Sequence, residues 1–334
     1  MLIPEPRGPI SEALIDGLRR KRALGSAPRG AGDALADDDL QLALFLAHEL
    51  HYGGLDGVDD ELEWNPSLIA FRSALEDAMF ERLIAEVGPP APCEPERVAE
   101  TIFGLVEADD APPLSRFVAE RATLEQFREF VIHRSAYQLK EADPHTFAIP
   151  RIRGAAKAAM VEVQADEYGG GQVGRMHSEL FAKTMRALDL DDSYGAYVGL
   201  LPASTLATVN LISLFGLRRR WRGALVGHLA GFEITSPEPN ARYARGLRRL
   251  GLGADAAEFY DEHVEADSVH ENIAAYDLAG GLARQEPELA GDILFGVRSL
   301  LLTEKWFVTH ILEAWQRGDS SLRAASPAPA AVPA

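Results

Sequence analysis

His263, Asp267 and His270 stand at i, i+4 and i+7 in the stretch FYDEHVEADSVHENIA. At roughly 100° per residue the three side chains share one face of a helix, and Phe259 lies on the same stripe. Residues seven apart are separated by about 10 Å along the axis. That is long for two imidazoles on one metal ion. It suits two imidazoles approaching opposite ends of a dinuclear centre whose ions are about 3.5–4 Å apart. A solvated helix face is the alternative, because Glu262, Glu265 and Glu271 surround the trio.

Three further windows offer carboxylates or imidazole. Glu233 follows the apolar run ALVGHLAGF, where an ionised carboxylate is costly to bury unless it is paired or metal-bound. Thr235, Ser236 and Pro237 come next, so a surface Glu at a helix end is equally consistent. His228 is five residues from Glu233, on another face, and reads as a packed or hydrogen-bonded core histidine. Glu167 and His177 would be about 15 Å apart on an unbroken helix. Gly169, Gly170 and Gly171 lie between them, and a break there lets both side chains converge; otherwise this is a plain helix–loop–helix, with Glu162 as a fallback carboxylate. Glu141, beside Lys140 in YQLKEADPHTFAIPR, is an ordinary acid near a helix end when taken alone.

Together Glu141, Glu167, His177, Glu233, His263, Asp267 and His270 would supply four carboxylates and three imidazoles. Helical bundles build dinuclear sites from such residues on several helices, and a set without thiolate suits Fe or Mn. The single Cys93 excludes a disulfide framework and any cysteine-built cluster within one chain. Tyr168 and Tyr260 adjoin proposed ligands and are expected to donate hydrogen bonds to them. The HExH string His48–His51 has the wrong spacing for a zinc protease and reads as a frayed surface helix end before Gly53-Gly54. Arg218, Arg219, Arg220 and Arg222 read as a charged connector between two buried helices. The glycine triplet lacks both the spacing and the preceding strand of a dinucleotide loop.

The elements that must position these side chains are helices. Apolar residues recur at i, i+3, i+4 through 40–51, 67–86, 96–107, 114–139, 154–167, 176–188, 202–215, 220–233, 240–250, 255–276 and 286–318, while two-residue alternation is nearly absent. The small-residue, Asp-rich linker 25–39 closes on residues suited to cap the next helix. The expected fold class is all-α, a multi-helix bundle. The chain has 334 residues, 33 Lys+Arg and 51 Asp+Glu, hence 33 − 51 = −18, with 47% hydrophobic and 25% charged residues. That composition is globular, and the charge repels phosphate backbones, so no nucleic-acid partner is expected. The uncharged run 198–217 contains Pro202, Thr205, Thr208 and Asn210; it reads as a buried core helix, not a membrane insertion. With no secretory leader pattern and one thiol, a cytoplasmic address is expected. The Pro/Ala tail from 325 is expected to be disordered.

Between about 137 and 315 the chain resembles the haem-oxygenase-like diiron oxidase/oxygenase family of iron-containing redox enzymes. The strings that carry the resemblance are KEADPHTFAIPR (140–151), DEYGGGQVGRMHSELF (166–181), GHLAGFEITS (227–236) and YDEHVEADSVH (260–270). It implies a haem-oxygenase-like bundle over 131–324, preceded by additional helices over 1–130 that help form a homodimer. By the same resemblance Glu167 and His177 hold one iron with His270, Asp267 and His263 hold the other, and Glu233 bridges or supports both. Glu141 matches the additional carboxylate of N-oxygenating members.

The resemblance therefore implies a non-haem diiron oxygenase or oxidase with two Fe(II) ions, O₂ and a small-molecule substrate as partners, and an external electron donor. N-oxygenation of an amine or guanidine is the leading expectation. Oxidative C–C cleavage or decarboxylation of a fatty acid or amino acid is the alternative within the enzyme class, and a metal-free helical binding or scaffold protein is the alternative outside it.

Overall fold

Wherever the three- and four-residue apolar spacing persists, the chain is helical. It runs from α1 (Pro9–Arg20) and α2 (Asp38–Glu49) through α3 (Pro66–Val87), α4 (Val98–Glu107) and the short α5 (Leu114–Glu120) to α6 (Leu124–Gln138). A single turn, α7 (Asp143–Thr146), precedes α8 (Gly154–Glu167), α9 (His177–Ala187), α10 (Ala203–Leu217), α11 (Arg222–Thr235) and α12 (Pro237–Arg249). Next, α13 (Ala254–Asn272) runs on into a π-helical stretch, Ile273–Ala279, and α14 (Gly280–Gln285), before the long α15 (Ala290–Arg317). The computed structural model describes residues 1–28, 30 and 32–324, with the backbone alone at 267–269. The tail from 325 and the Asp267 side chain lie outside the described residues. Among those described there is no strand, as expected of an all-α chain.

Local chemistry sets the helix ends. Asp37 accepts from the Asp39 and Leu40 amides, so the acidic linker caps α2 as its composition suggests. Thr123 and Gln126 exchange side-chain bonds with each other's amides at the start of α6, a reciprocal cap that satisfies two orphan donors. Helix α1 was not among the helices expected from the sequence. It buries Ile10, Leu14, Ile15 and Leu18, each such side chain stabilising by about 1.5–3 kcal/mol when withdrawn from water.

Two apolar clusters form the interior. The larger joins α1, α2 and α3 to α8, α10, α11 and the first half of α15. The smaller gathers Phe127, Phe130, Phe181, Tyr243, Phe259, Tyr260, Phe307 and Trp315 from α6, α9, α12, α13 and the far half of α15. Small residues bring α11 against α15: a Cβ on Gly227 would overlap the Ile293 carbonyl, and one on Gly296 would overlap the Ala224 carbonyl. The backbone of α11, which carries Glu233 at its end, is thereby pressed directly onto the longest helix of the bundle. No described helix is long and apolar enough to cross a membrane; α10, the uncharged run, is core.

Candidate metal centre

Glu167 is the last residue of α8 and His177 the first of α9. Between them Gly169, Gly170 and Gly171 all take positive φ, at 61°, 60° and 79°, a region that a side chain disfavours. Gly169 is doubly required, since a Cβ there would lie 2.6 Å from the Met176 amide nitrogen. This reversal carries Glu167 Oε2 to 2.9 Å from His177 Nδ1, in place of the ~15 Å of a continuous helix. Glu162 is exposed on α8 and takes no part.

His263 and His270 are buried, at 6% and 2% exposure, so this face of α13 is turned inward and not solvated. The His263 Nδ1–H donates to the Phe259 carbonyl at 2.8 Å, which leaves the lone pair on Nε2. That nitrogen is 3.6 Å from Glu141 Oε1, and the His263 and His177 rings are 4.3 Å apart. Glu141 reaches the site from the turn after α6, where buried Ala142 takes φ 76°, a conformation costly for a residue with a Cβ. One atom each from Glu141, Glu167, His177 and His263 lie within 4.8 Å of one another.

A second group of the same closeness contains Glu167, Glu233 and His270. His270 Nδ1 is 3.5 Å from Glu233 Oε2, while its Nε2 meets Asp166 Oδ2 at 2.9 Å. A carboxylate on the far ring nitrogen fixes the imidazole's orientation. Asp166 was visible in the sequence only as the neighbour of Glu167; nothing in the spacing singled it out. The grouping corrects one expected pairing. His177 meets His263, not His270, because it enters beside Phe259 and His263, and His263 lies about two turns before His270 on α13. Glu167 is common to both groups.

The electrostatics follow from this crowding. Burial opposes ionisation of Glu167, yet the positive field of His177, His263 and His270 outweighs it and lowers its pKa. Burial, with Glu167 nearby, raises that of Glu233. For His270 burial works against protonation, but Glu233 and Asp166 prevail and lift its pKa to about 9. Glu141 Oε2 is buried without a hydrogen bond, and Glu167 Oε2 and His177 Nδ1 have only each other. An unmet buried polar atom costs about 1–3 kcal/mol, and carboxylate oxygens converging with imidazole nitrogens are met by a hard or borderline cation. The buried His/Glu clusters are compatible with metal binding.

A cavity of about 430 Å³ opens beside the groups where the two apolar clusters meet. Phe130, Tyr137, Phe232 and Tyr260 line it, together with the charged side chains Asp109, Arg134, Glu238, Arg242 and Glu304. Arg134 is held by Glu304 through two hydrogen bonds of 2.9 and 2.8 Å. His145, also on the wall, bonds through Nε2 to His228 Nδ1 at 3.1 Å, so His228 is the hydrogen-bonded core histidine its position suggested.

Other expectations are corrected. The Tyr168 hydroxyl bonds Asp143 and Thr146 and no candidate ligand, because the helix ends at this residue and the ring turns toward α7. The Tyr260 hydroxyl is buried without a hydrogen-bond partner. His48 and Glu49 are core residues, not a frayed end: His48 lies between Asn210 and Glu76. The arginine run 218–222 behaves as expected, tied by ion pairs to Glu76, Asp292 and Glu286.

A solved structure with this architecture is a CADD-like protein of unknown function from Nostoc punctiforme PCC 73102, with a TM-score of 0.53. It is 15% identical, and the match covers 66% of this chain and 97% of that one, a likeness of fold alone. No curated protein matches the chain. The sequence profile of a family described as iron-containing redox enzyme matches residues 128–305, which include every candidate ligand from Glu141 to His270. With its helices, buried carboxylates and imidazoles on the page, the chain belongs to the iron-containing redox enzyme family, on a haem-oxygenase-like all-α fold.

Proposed function

We propose that this protein is a non-haem diiron oxygenase that N-oxygenates an amine or guanidine group of a small polar metabolite, using O₂ and an external electron donor. The observation that carries the reading is the sharing of Glu167 by two buried ligand groups, the arrangement expected of a carboxylate between two ions. Glu141, His177 and His263 would hold one ion with Glu167, and Glu233 and His270 the other; Asp267 belongs to the same proposed set. Iron bound there would supply the capacity to reduce O₂.

The chain's own residues do the rest. The Phe259 carbonyl and the Asp166 carboxylate orient His263 and His270, and Glu167 offers its carboxylate to both groups. The cavity wall selects the substrate. Apart from the candidate ligands it carries the ion pairs Arg134–Glu304 and Arg242–Glu238 together with Asp109, a polar wall with one carboxylate outside those pairs to meet a cationic nitrogen. A fatty acyl chain would have to desolvate these charges without pairing them, which disfavours the fatty-acid alternative.

The test is anaerobic loading with Fe(II), then ¹⁸O₂ in the presence of amines, guanidines and carboxylic acids, with products read by mass spectrometry. The expected result is label on a substrate nitrogen. Label only in carboxylate or carbonyl products, or loss of CO₂, would assign the centre to C–C cleavage instead. Intact helicity without iron uptake would favour a metal-free scaffold.

A further inference from the structure

Lys140 precedes Glu141, and the two side chains leave the turn after α6 in opposite directions. Glu141 goes to the metal-ligand cluster. Lys140 goes into the N-terminal helices, where it is 6% exposed and its Nζ lies 2.9 Å from Glu49 Oε2 of α2. Glu49 is fully buried and also accepts from the Tyr194 hydroxyl at 2.5 Å. Three rings complete the box: the ammonium is 4.2 Å from the Tyr52 centroid, 5.2 Å from Phe45 and 5.5 Å from Tyr194.

A buried ammonium is retained only where a counter-charge and ring faces replace its water. Moving Lys140 out of this box would strand Glu49, so the box resists any displacement of the turn. The Glu141 carboxylate has no comparable support of its own. Its Oε2 lacks a hydrogen bond and its Oε1 stands 3.6 Å from His263. The next residue, Ala142, is held at φ 76°, a strain that persists only where the surroundings enforce it.

We propose that Lys140 is a positioning residue: its buried pair with Glu49 pins the turn that presents Glu141, so the N-terminal helices complete a metal centre whose ligands all lie after residue 140. The inference rests on the reading of Glu141 as a ligand. It gives the segment before the family match a role in the site.

The experiment measures the dissociation constants of both Fe(II) ions under anaerobic conditions, by competition with a chromogenic chelator, alongside helicity and Tm. The double variant Glu49→Gln/Lys140→Met removes both charges and keeps the volume, so no lone charge is buried. It is expected to fold, bind one ion like wild type and bind the ion at Glu141 about tenfold more weakly, as when a residue that orients a ligand is lost. Tyr194→Phe, which removes only one bond to Glu49, is expected to weaken the same ion about threefold and carries the test if the double variant does not fold. Leu14→Ala, in the remote α1, controls for general destabilisation. Wild-type constants for both ions in the box variants, or equal weakening in Leu14→Ala, would overturn the proposal while leaving the diiron reading intact. A wild-type chain that takes up fewer than two ions would instead remove the diiron reading on which it stands.

Discussion

Glu167 Oε2 and His177 Nδ1 lie 2.9 Å apart although nine residues, three of them left-handed glycines, separate them. The contact depends on a reversal that only glycine makes cheaply at Gly169. Gly169→Ala is therefore expected to displace His177 and to weaken metal binding by at least about tenfold, since ligand placement depends on sub-ångström support. Retention of wild-type iron affinity in a folded Gly169→Ala chain would show that the reversal does not set this contact.

The shared carboxylate makes a distinctive pattern of iron loss. Glu167→Gln should abolish both ions, whereas Glu141→Ala should leave one, held by Glu167, Glu233 and His270. Iron per chain after anaerobic loading and desalting reads this directly. Two ions bound by Glu141→Ala would remove Glu141 from the centre.

Packing of α11 on α15 gives an independent test of the scaffold. Gly227→Ala forces a methyl into the Ile293 carbonyl and is expected to destabilise by about 3 kcal/mol or more, at the upper end for overpacking. Gly104→Ala, on the exposed face of α4 with open space around it, should stabilise by about 0.5–1 kcal/mol through helix propensity. Denaturant midpoints of the two variants should move in opposite directions.

Acid should destabilise the metal-free protein early. Burial lowers the pKa of His133 to about 3 and of His145 to about 4, and that of His228, buried against His145, falls well below its usual value. In the unfolded chain each takes a proton near pH 6.5. Stability is therefore full above pH 6.5 and is lost as pH falls toward the folded values, by about 1.4 kcal/mol per pH unit for each group. His270 has the opposite sign: its contribution is full below pH 6.5 and is lost as pH rises through about 9. Tm against pH should peak near pH 6.5. A flat profile from pH 7 to 5 would contradict the buried neutral histidines.

Helices were legible because apolar spacing along α8, α11, α13 and α15 follows the helical period with little interruption. Helix α1 is poorly legible because its apolar stripe, Ile10, Leu14 and Leu18, is short and lies in a segment of only twelve helical residues. Candidate ligands were legible where residue type and spacing coincide, as at His263 and His270. Glu167 and His177 could be joined only through the glycines, and which imidazoles meet was hidden, because the approach of α9 to α13 is a tertiary fact. Asp166, Lys140 and Glu49 carried no signal at all: their meaning lies in partners 104 and 91 residues away. His48 misled because a His/Glu pair before two glycines looks exposed, while Asn210 and Glu76 arrive from distant helices to bury it.

The most direct measurement is the number of Fe(II) ions bound per wild-type chain in an anaerobic titration followed by circular dichroism. Two ions per chain, with helicity unchanged, is the predicted result. A fully helical chain that binds fewer than two would contradict a dinuclear centre at Glu167.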